Sequence, residues 1–335
     1  MRSFSTRRLV AVAMAVAIAA VAISSISGAS AATKTSAATK VATKTSAATP
    51  KKVCLLANTT NTAYAALLNV AIATEGKKVG LNVETLDGNN DIATQSEEMS
   101  TCIAEKVAGV IVVPVDALGI VPALARAYAA GIPVENSNAE VAPSGLKYIK
   151  AFTGPSDYKM AYEAGTFLGN YLHGKAANIA EIEGSAGYGP TINRAAGFAA
   201  ALKATDPKAK IIAEEDGNWV QETAENEART LIVKYGSEIN YFYCHNDTMC
   251  VGVAAAIKAS GLPIHIVSLT MIKQGEALIK SGVFLFSILQ SPYADGDLAA
   301  ETMAKILNGQ SVPKVQYITT PIVTKANMSK YPAPY

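Results

Sequence analysis

Short apolar segments alternate with amphipathic segments of helical period from Val53 onward. Residues 53–57 form the first apolar segment, hydrophobic residues then recur at helical spacing around 67–72, and residues 81–86 form the next apolar segment. This alternation is typical of βαβ units, in which parallel strands are joined by right-handed helical crossovers. A second series of the same kind begins near Phe152. The sequence therefore predicts an α/β fold in two lobes of one architecture, with parallel sheets flanked by helices.

Small polar residues follow nearly every predicted strand. Ligands of open α/β sheets bind outside the carboxyl ends of the strands, so these residues are expected to face a ligand. Loops are polar in most proteins, but here amides and hydroxyls predominate and aromatic residues lie nearby. Such side chains suit a neutral, hydroxyl-rich molecule whose C–H face stacks on an aromatic ring. The polar groups lie at 58–61, 87–90, 116, 136–138, 184–185, 216–219, 245–247 and 268–270.

Residues 1–31 have the order of a secretory signal peptide. Arginines at positions 2, 7 and 8 precede an apolar segment at 9–23, and small residues lead to Ala29-Ser30-Ala31. The apolar segment is shorter than the ~20 residues that span a bilayer, which favours cleavage over a retained anchor. The residues that follow Arg7-Arg8 fit the twin-arginine export signal poorly. We therefore expect a periplasmic or secreted protein after signal-peptide cleavage.

Residues 32–51 repeat a ten-residue pattern of Ala, Thr, Ser and Lys. This composition buries too little apolar surface to fold, so the segment is interpreted as a low-complexity tether. The full chain has a net charge of +2 and no basic stripe with interleaved aromatic residues, which argues against nucleic acid as a partner.

The four cysteines permit two disulfides in an oxidising compartment. Cys244 and Cys250 flank one strand-to-helix turn, Cys54 opens the first strand, and Cys102 faces inward from a following helix. The alternative is that these residues are small buried hydrophobes. The cysteine spacing fits no zinc pattern and the three histidines are scattered, so neither a metal nor another cofactor is expected.

An ordered set of segments resembles the type I periplasmic binding proteins, particularly the ribose-binding-like group that serves ABC importers. The resemblance implies two Rossmann-like lobes joined by a three-crossing hinge that closes on ligand. It implies a first lobe from residues 52–152 and 291–318, and a second from 153–290 and 319–335. The segments are VCLLANTTNTAY at 53–64, LDGNNDIATQ at 86–95, VAGVIVVPVD at 107–116, GIPV at 131–134, GSAGYGPTINRAAGF at 184–198 and HNDTMCVGVAAAIKASG at 245–261.

The same resemblance implies a set of ligand-binding residues and shows two departures. Where the family has an Asp-Arg pair, this chain has Asn138 and Ala139. Where the family has an aspartate, this chain has Thr270. Two carboxylates and one guanidinium are thus replaced, which favours a polyol, a deoxy sugar or a non-sugar metabolite over a standard aldopyranose. Of the adjacent residues Asn246 and Asp247, we expect the first to bind ligand and the second to cap the next helix. The predicted ligand-binding residues are Asn61, Tyr64, Asn138, Arg194, Trp219, Asn246, Thr270 and Gln290.

The expected function is that of a monomeric, non-enzymatic solute receptor that passes a sugar or polyol-like ligand to an ABC permease in the membrane. An extracytoplasmic sensor that signals through a membrane receptor is an alternative that the sequence does not separate from it. A secreted hydrolase is disfavoured because no G-x-S-x-G elbow is present. A transcriptional regulator is excluded because a leader, and no helix-turn-helix, precedes the first strand.

Overall fold

The computed structural model of the protein describes residues 49–335. The predicted leader (1–31) and nearly all of the predicted tether (32–51) lie outside the described residues. Lys51 is an exception, because it is the first residue of a strand and its Nζ donates to the Leu307 carbonyl at 2.6 Å. The folded part therefore begins within the segment that was predicted to be tether.

Residues 51–323 contain two six-stranded sheets. The strand order is β11-β5-β4-β3-β1-β2 in the first sheet and β12-β10-β9-β8-β6-β7 in the second. All pairings are parallel except β10 with β12, which is antiparallel. The strands are β1 (Lys51–Ala57), β2 (Leu81–Asp87), β3 (Gly109–Val112), β4 (Val134–Ser137), β5 (Ala151–Gly154), β6 (Ala177–Glu183), β7 (Ala209–Asp216), β8 (Tyr241–Cys244), β9 (His265–Leu269), β10 (Phe284–Ile288), β11 (Val315–Tyr317) and β12 (Ile322–Val323).

Helices cover both faces of each sheet. Val53 and Leu55 pack on one face of the first sheet, whereas Cys54 and Leu56 pack on the other, so β1 is buried on both sides. This explains why the strands read as continuous apolar segments rather than alternating ones. The helices are α1 (Ala63–Lys78), α2 (Ile92–Ala104), α3 (Val121–Ala129), α4 (Asp157–Leu172), α5 (Gly189–Thr205), α6 (Gln221–Tyr235), α7 (Asp247–Ser260), α8 (Lys273–Ser281) and α9 (Pro292–Leu307).

The chain passes between the two sheets three times: from β5 to α4, from β10 to α9, and from β11 to β12. Helix α9 packs against α1 and the first sheet, whereas α4 packs against α5. The predicted two-lobe α/β architecture with a three-crossing hinge is confirmed. The first sheet extends to Gly154, however, so β5 completes the first lobe instead of opening the second series.

Two disulfides are present, one in each lobe. Cys54 of β1 is bonded to Cys102 of α2, and Cys244 of β8 is bonded to Cys250 of α7. These are the two pairs that the sequence brings close together. Within residues 49–335, no helix has both the length and the hydropathy of a membrane-spanning segment.

Candidate ligand-binding site

A cavity of about 740 Å³ lies between the carboxyl ends of the two sheets. The position follows from the topology, because the parallel strands of both lobes end at the same cleft. All eight residues predicted to bind ligand line this cavity: Asn61, Tyr64, Asn138, Arg194, Trp219, Asn246, Thr270 and Gln290. The structure thus brings the predicted residues together, and their role in binding remains a prediction.

The first lobe contributes a hydrogen-bonded group at the base of the cavity. Asp295 Oδ2 accepts from the Tyr64 hydroxyl at 3.0 Å and from Asn138 Nδ2 at 2.7 Å. Gln290, on the crossing from β10 to α9, donates from Nε2 to the same Tyr64 hydroxyl at 2.8 Å. Burial raises the pKa of Asp295 to about 7, against the hydrogen bonds from Asn138 and Tyr64. These contacts fix the amide of Asn138 and the phenol of Tyr64.

Arg194 is the one basic side chain among the residues that line the cavity, and it is 4% exposed. Its Nε donates to Asp157 Oδ1 at 2.7 Å, Nη1 donates to the His245 carbonyl, and Nη2 donates to Gln290 Oε1 at 3.0 Å. The guanidinium charge is therefore already paired with a carboxylate of the protein. Arg194 can orient a polar ligand, but it offers little unpaired charge to an anion.

Trp219 forms part of the second-lobe wall. Its ring lies directly against Gly184, where an added Cβ would come within 1.9 Å of the indole. The Arg194 guanidinium lies 5.5 Å from the ring centroid, and Tyr188 meets the ring edge-on at 5.9 Å. The indole Nε1 is a buried donor without a hydrogen-bond partner among the described residues. Trp219 thus offers the cavity an aromatic surface, and its N–H is buried behind that surface.

Three of the predicted residues have left-handed backbone conformations. The φ angles are 62° at Asn138, 63° at Trp219 and 68° at Thr270. Asparagine tolerates this region, but a bulky or β-branched residue there is strained by about 1–3 kcal/mol. Strain of this kind is retained where side-chain placement matters, so its location at the cavity supports a functional site.

The residue that caps α7 is not the one that the sequence predicted. Asn246, not Asp247, caps α7, because its Oδ1 accepts from the Met249 N–H at 2.8 Å. Asp247 is fully buried and accepts from the Ser287 hydroxyl at 2.6 Å and the Ile272 N–H at 3.0 Å. The prediction that Asp247 caps α7 was wrong, because a buried carboxylate needs several donors, which Ser287 and Ile272 supply. That Asn246 binds ligand stays a prediction. Asn246 also lines the cavity.

His245 lies beneath the cavity wall in a defined tautomer. Its Nδ1 accepts from the Gly184 N–H at 3.3 Å, so the imidazole proton is on Nε2 and faces Glu181 Oε1 at 2.8 Å. Burial lowers the pKa of His245 to about 3 and raises that of Glu181 to about 8. Glu183 lies close to this pair. Because the Nε2 position already carries a proton, this group is a hydrogen-bonded pair rather than a ready metal ligand.

A profile of the periplasmic binding protein domain matches residues 53–311. The chain belongs to the periplasmic binding protein family. The resemblance inferred from the order of the sequence segments, to the ribose-binding-like group, is thereby confirmed. The family consists of solute-binding proteins rather than enzymes, which agrees with the predicted non-enzymatic class.

Named relatives of this periplasmic binding protein bind small polyhydroxylated compounds. A xylitol-binding protein of Mycolicibacterium smegmatis is 29% identical over 250 residues, covering 74% of this chain and 70% of that protein. A ribose import binding protein of Bacillus subtilis is 27% identical over 260 residues, covering 78% and 83%. A solved ABC transporter solute-binding protein of Mycobacterium smegmatis with bound glycerol is similar, with a TM-score of 0.77, 25% identity, and coverage of 84% of this chain and 96% of that one.

The cavity of this periplasmic binding protein also contains residues that sequence reasoning missed. Tyr188 lines it, and its hydroxyl accepts from Asn58 Nδ2 of the other lobe at 3.4 Å. Tyr335 lines the cavity as well, although it lies far along the chain from the other lining residues. Tyr188 lies at the end of the loop from β6 to α5, beyond the predicted polar residues 184–185, and Tyr335 lies twelve residues after β12, so the strand-end rule missed both. Burial raises the pKa of both phenols, which therefore remain neutral hydrogen-bonding groups.

Proposed function

We propose that this protein is the solute receptor of an ABC importer and captures a small neutral sugar or polyol between its lobes. The observation that carries the proposal is the polar lining of the interlobe cavity, which consists mainly of amides, hydroxyls and phenols. A ligand with many hydroxyl groups can donate to and accept from such a lining on all sides.

The electrostatics of the cavity base support an uncharged ligand. Arg194 is paired with Asp157 at 2.7 Å, and the carboxylate of Asp295 already accepts from Asn138 and Tyr64. Neither side chain retains a free charge that would compensate for burying an ionised ligand. The two acidic side chains that line the cavity, Asp91 and Asp116, already accept from backbone N–H groups. Burying an unpaired charge costs far more than burying a hydroxyl, so ionised ligands, and anions above all, are disfavoured.

The identity of the polar residues supports a polyol or a deoxy sugar. Asn138 and Thr270 occupy positions where sugar-binding relatives have carboxylates, according to the segment resemblance, and Asn138 is held by Asp295. A single amide or hydroxyl makes fewer hydrogen bonds to neighbouring sugar hydroxyls than a bidentate carboxylate. The relatives named for xylitol and ribose, and the similar structure with glycerol, bind ligands of this class.

The location and partners follow from the same assignment. We propose that residues 1–31 direct export and are removed, and that the tether of a periplasmic or secreted monomer runs from 32 to the residue before β1. The lobes would be 52–154 with 291–318, and 155–290 with 319–335, which moves the first predicted boundary to the end of β5. They would close on ligand and dock on a membrane permease. No cofactor and no nucleic acid take part in this function.

A ligand panel tests the proposal. Thermal shift and calorimetry with glycerol, xylitol, D-ribose, D-allose and myo-inositol should identify at least one compound that binds in the micromolar range or tighter and raises the Tm. Ribose 5-phosphate and glucosamine are the charged controls and should bind at least tenfold more weakly than the neutral compounds. Failure of every neutral compound to raise the Tm would contradict the proposal.

A further inference from the structure

Two buried carboxylates stand at the start of the helices that follow lobe crossings. Asp157 is the first residue of α4, which follows the crossing from β5, and is 4% exposed. Asp295 lies in the first turn of α9, which follows the crossing from β10, and is 0% exposed. Neither residue lines the cavity. A contribution to binding would therefore have to pass through their neighbours.

Asp157 holds Arg194 of the second lobe. Its Oδ1 accepts from Arg194 Nε at 2.7 Å and lies 2.7 Å from Nη2. A planar guanidinium that is fixed at two nitrogens has a defined plane and cannot swing out of the cavity wall. Burial raises the pKa of Asp157, and the Arg194 charge opposes that rise. The pair thus fixes the guanidinium in the position where it borders the cavity.

Asp295 plays the same part in the first lobe. A single oxygen, Oδ2, accepts from both the Tyr64 hydroxyl and Asn138 Nδ2. These two bonds fix the amide of Asn138, so that its carbonyl oxygen is the end turned away from Asp295. They also determine that the Tyr64 proton is donated to Asp295, which leaves the phenol oxygen as an acceptor.

The two groups join through Gln290. Its Oε1 accepts from Arg194 Nη2 at 3.0 Å, and its Nε2 donates to the Tyr64 hydroxyl at 2.8 Å. A continuous chain of hydrogen bonds therefore runs beneath the cavity from one lobe to the other. Followed from the first lobe to the second, its members are Asn138, Asp295, Tyr64, Gln290, Arg194 and Asp157.

We propose that Asp157 and Asp295 are positioning residues of the ligand site, acting without touching the ligand. Asp157 acts through Arg194, and Asp295 acts through Asn138 and Tyr64. This inference rests on the proposed function and deepens it, because it assigns the orientation of three cavity-lining side chains to two carboxylates outside the cavity.

A double-mutant cycle tests the assignment for Asp157. Asp157→Asn should weaken binding of the tightest compound from the panel of glycerol, xylitol, D-ribose, D-allose and myo-inositol at least tenfold. In an Arg194→Ala background the same change should alter affinity less than twofold, because the group that it orients is gone. Asp206→Asn is the matched control: Asp206 is 2% exposed in the same lobe, does not line the cavity, and should leave affinity unchanged.

The same cycle applies to Asp295→Asn, alone and in an Asn138→Ala/Tyr64→Phe background.

Because Asp157→Asn leaves a buried guanidinium without its partner, Asp157→Glu is made in parallel. It keeps the charge and displaces the carboxylate by one methylene, so affinity should fall while the urea midpoint stays near that of the wild type.

The outcomes separate the inference from the function that it rests on. Equal loss of affinity in the presence and absence of Arg194, or unchanged affinity of folded Asp157→Glu and Asp295→Asn, would overturn the positioning role while the receptor function stands. A wild-type protein that binds no panel compound would overturn the proposed function and, with it, the inference.

Discussion

Trp219 combines three unusual features in one residue. It has a left-handed backbone (φ 63°), a ring packed directly on Gly184, and an indole N–H without a partner among the described residues. The first and third features cost free energy, since strain and unpaired donors are both unfavourable. An aromatic side chain that only filled space would not need this conformation. Trp219 is therefore the single residue most informative about binding.

Replacement of Trp219 tests this interpretation. Trp219→Ala should weaken binding of the tightest neutral panel compound more than tenfold, because stacking on an aromatic ring contributes about 1 kcal/mol or more. Calorimetry measures the affinity, and circular dichroism checks the fold. Tyr171→Ala, at a site 50% exposed on α4 and outside the cavity, is the control and should bind normally. Unchanged affinity of Trp219→Ala would remove this residue from the site.

At the scale of elements, the sequence was most informative where burial is complete. The apolar segment predicted at residues 53–57 coincides with the buried part of β1. β11 was not predicted, because this edge strand of three residues includes exposed Val315 and Tyr317 and has no apolar signature. Strand-end polar residues pointed to the cavity, but Thr62, Asp91 and Asn246 are also helix caps. Sequence cannot separate these two duties.

The two disulfides should differ in what they stabilise. Cys54–Cys102 closes a separation of 48 residues and Cys244–Cys250 one of 6. Chain entropy then predicts a loss of about 4 kcal/mol of unfolding free energy for the double alanine variant of the first pair and about 2 kcal/mol for that of the second. Both pairs enclose cavity residues, but in the second pair Asn246 and Thr248 each lie only two residues from a bridged cysteine, so its removal should weaken ligand binding more.

Urea unfolding and calorimetry on the two double variants check this prediction, each variant serving as the control for the other. Thiol titration of the unfolded protein should give four reactive groups after reduction and none before it. Four thiols without reduction would show that neither bridge forms, and the alternative of small buried hydrophobes would then stand.

At the scale of the whole molecule, buried carboxyls should make stability depend on pH. Burial raises the pKa of Glu181 to about 8 and that of Asp247 to about 6, as it does for Asp295, so these groups are protonated in the folded protein at pH 5. In the unfolded chain they ionise near pH 4. The folded state therefore binds more protons, and stability falls as pH rises through 6 to 8. The effect of His245 is opposite but confined to acid, because its pKa is lowered and only its unfolded form is charged below about pH 6.5.

Glu181 isolates this effect because its partners are known. His245 donates to it at 2.8 Å, the charge of Glu214 on the adjoining strand adds to the effect of burial, and Glu183 and Tyr243 also lie close. Glu181→Gln keeps an acceptor for His245 and cannot ionise. Its urea midpoint should match the wild type at pH 5 and exceed it at pH 9, by a free energy on the order of a few kcal/mol. Glu222→Gln, exposed on α6, should leave the pH profile unchanged. If Glu181→Gln loses the same free energy of unfolding at pH 5 and pH 9, then Glu181 is ionised in the folded protein throughout this range, and the carboxylate itself stabilises the second lobe.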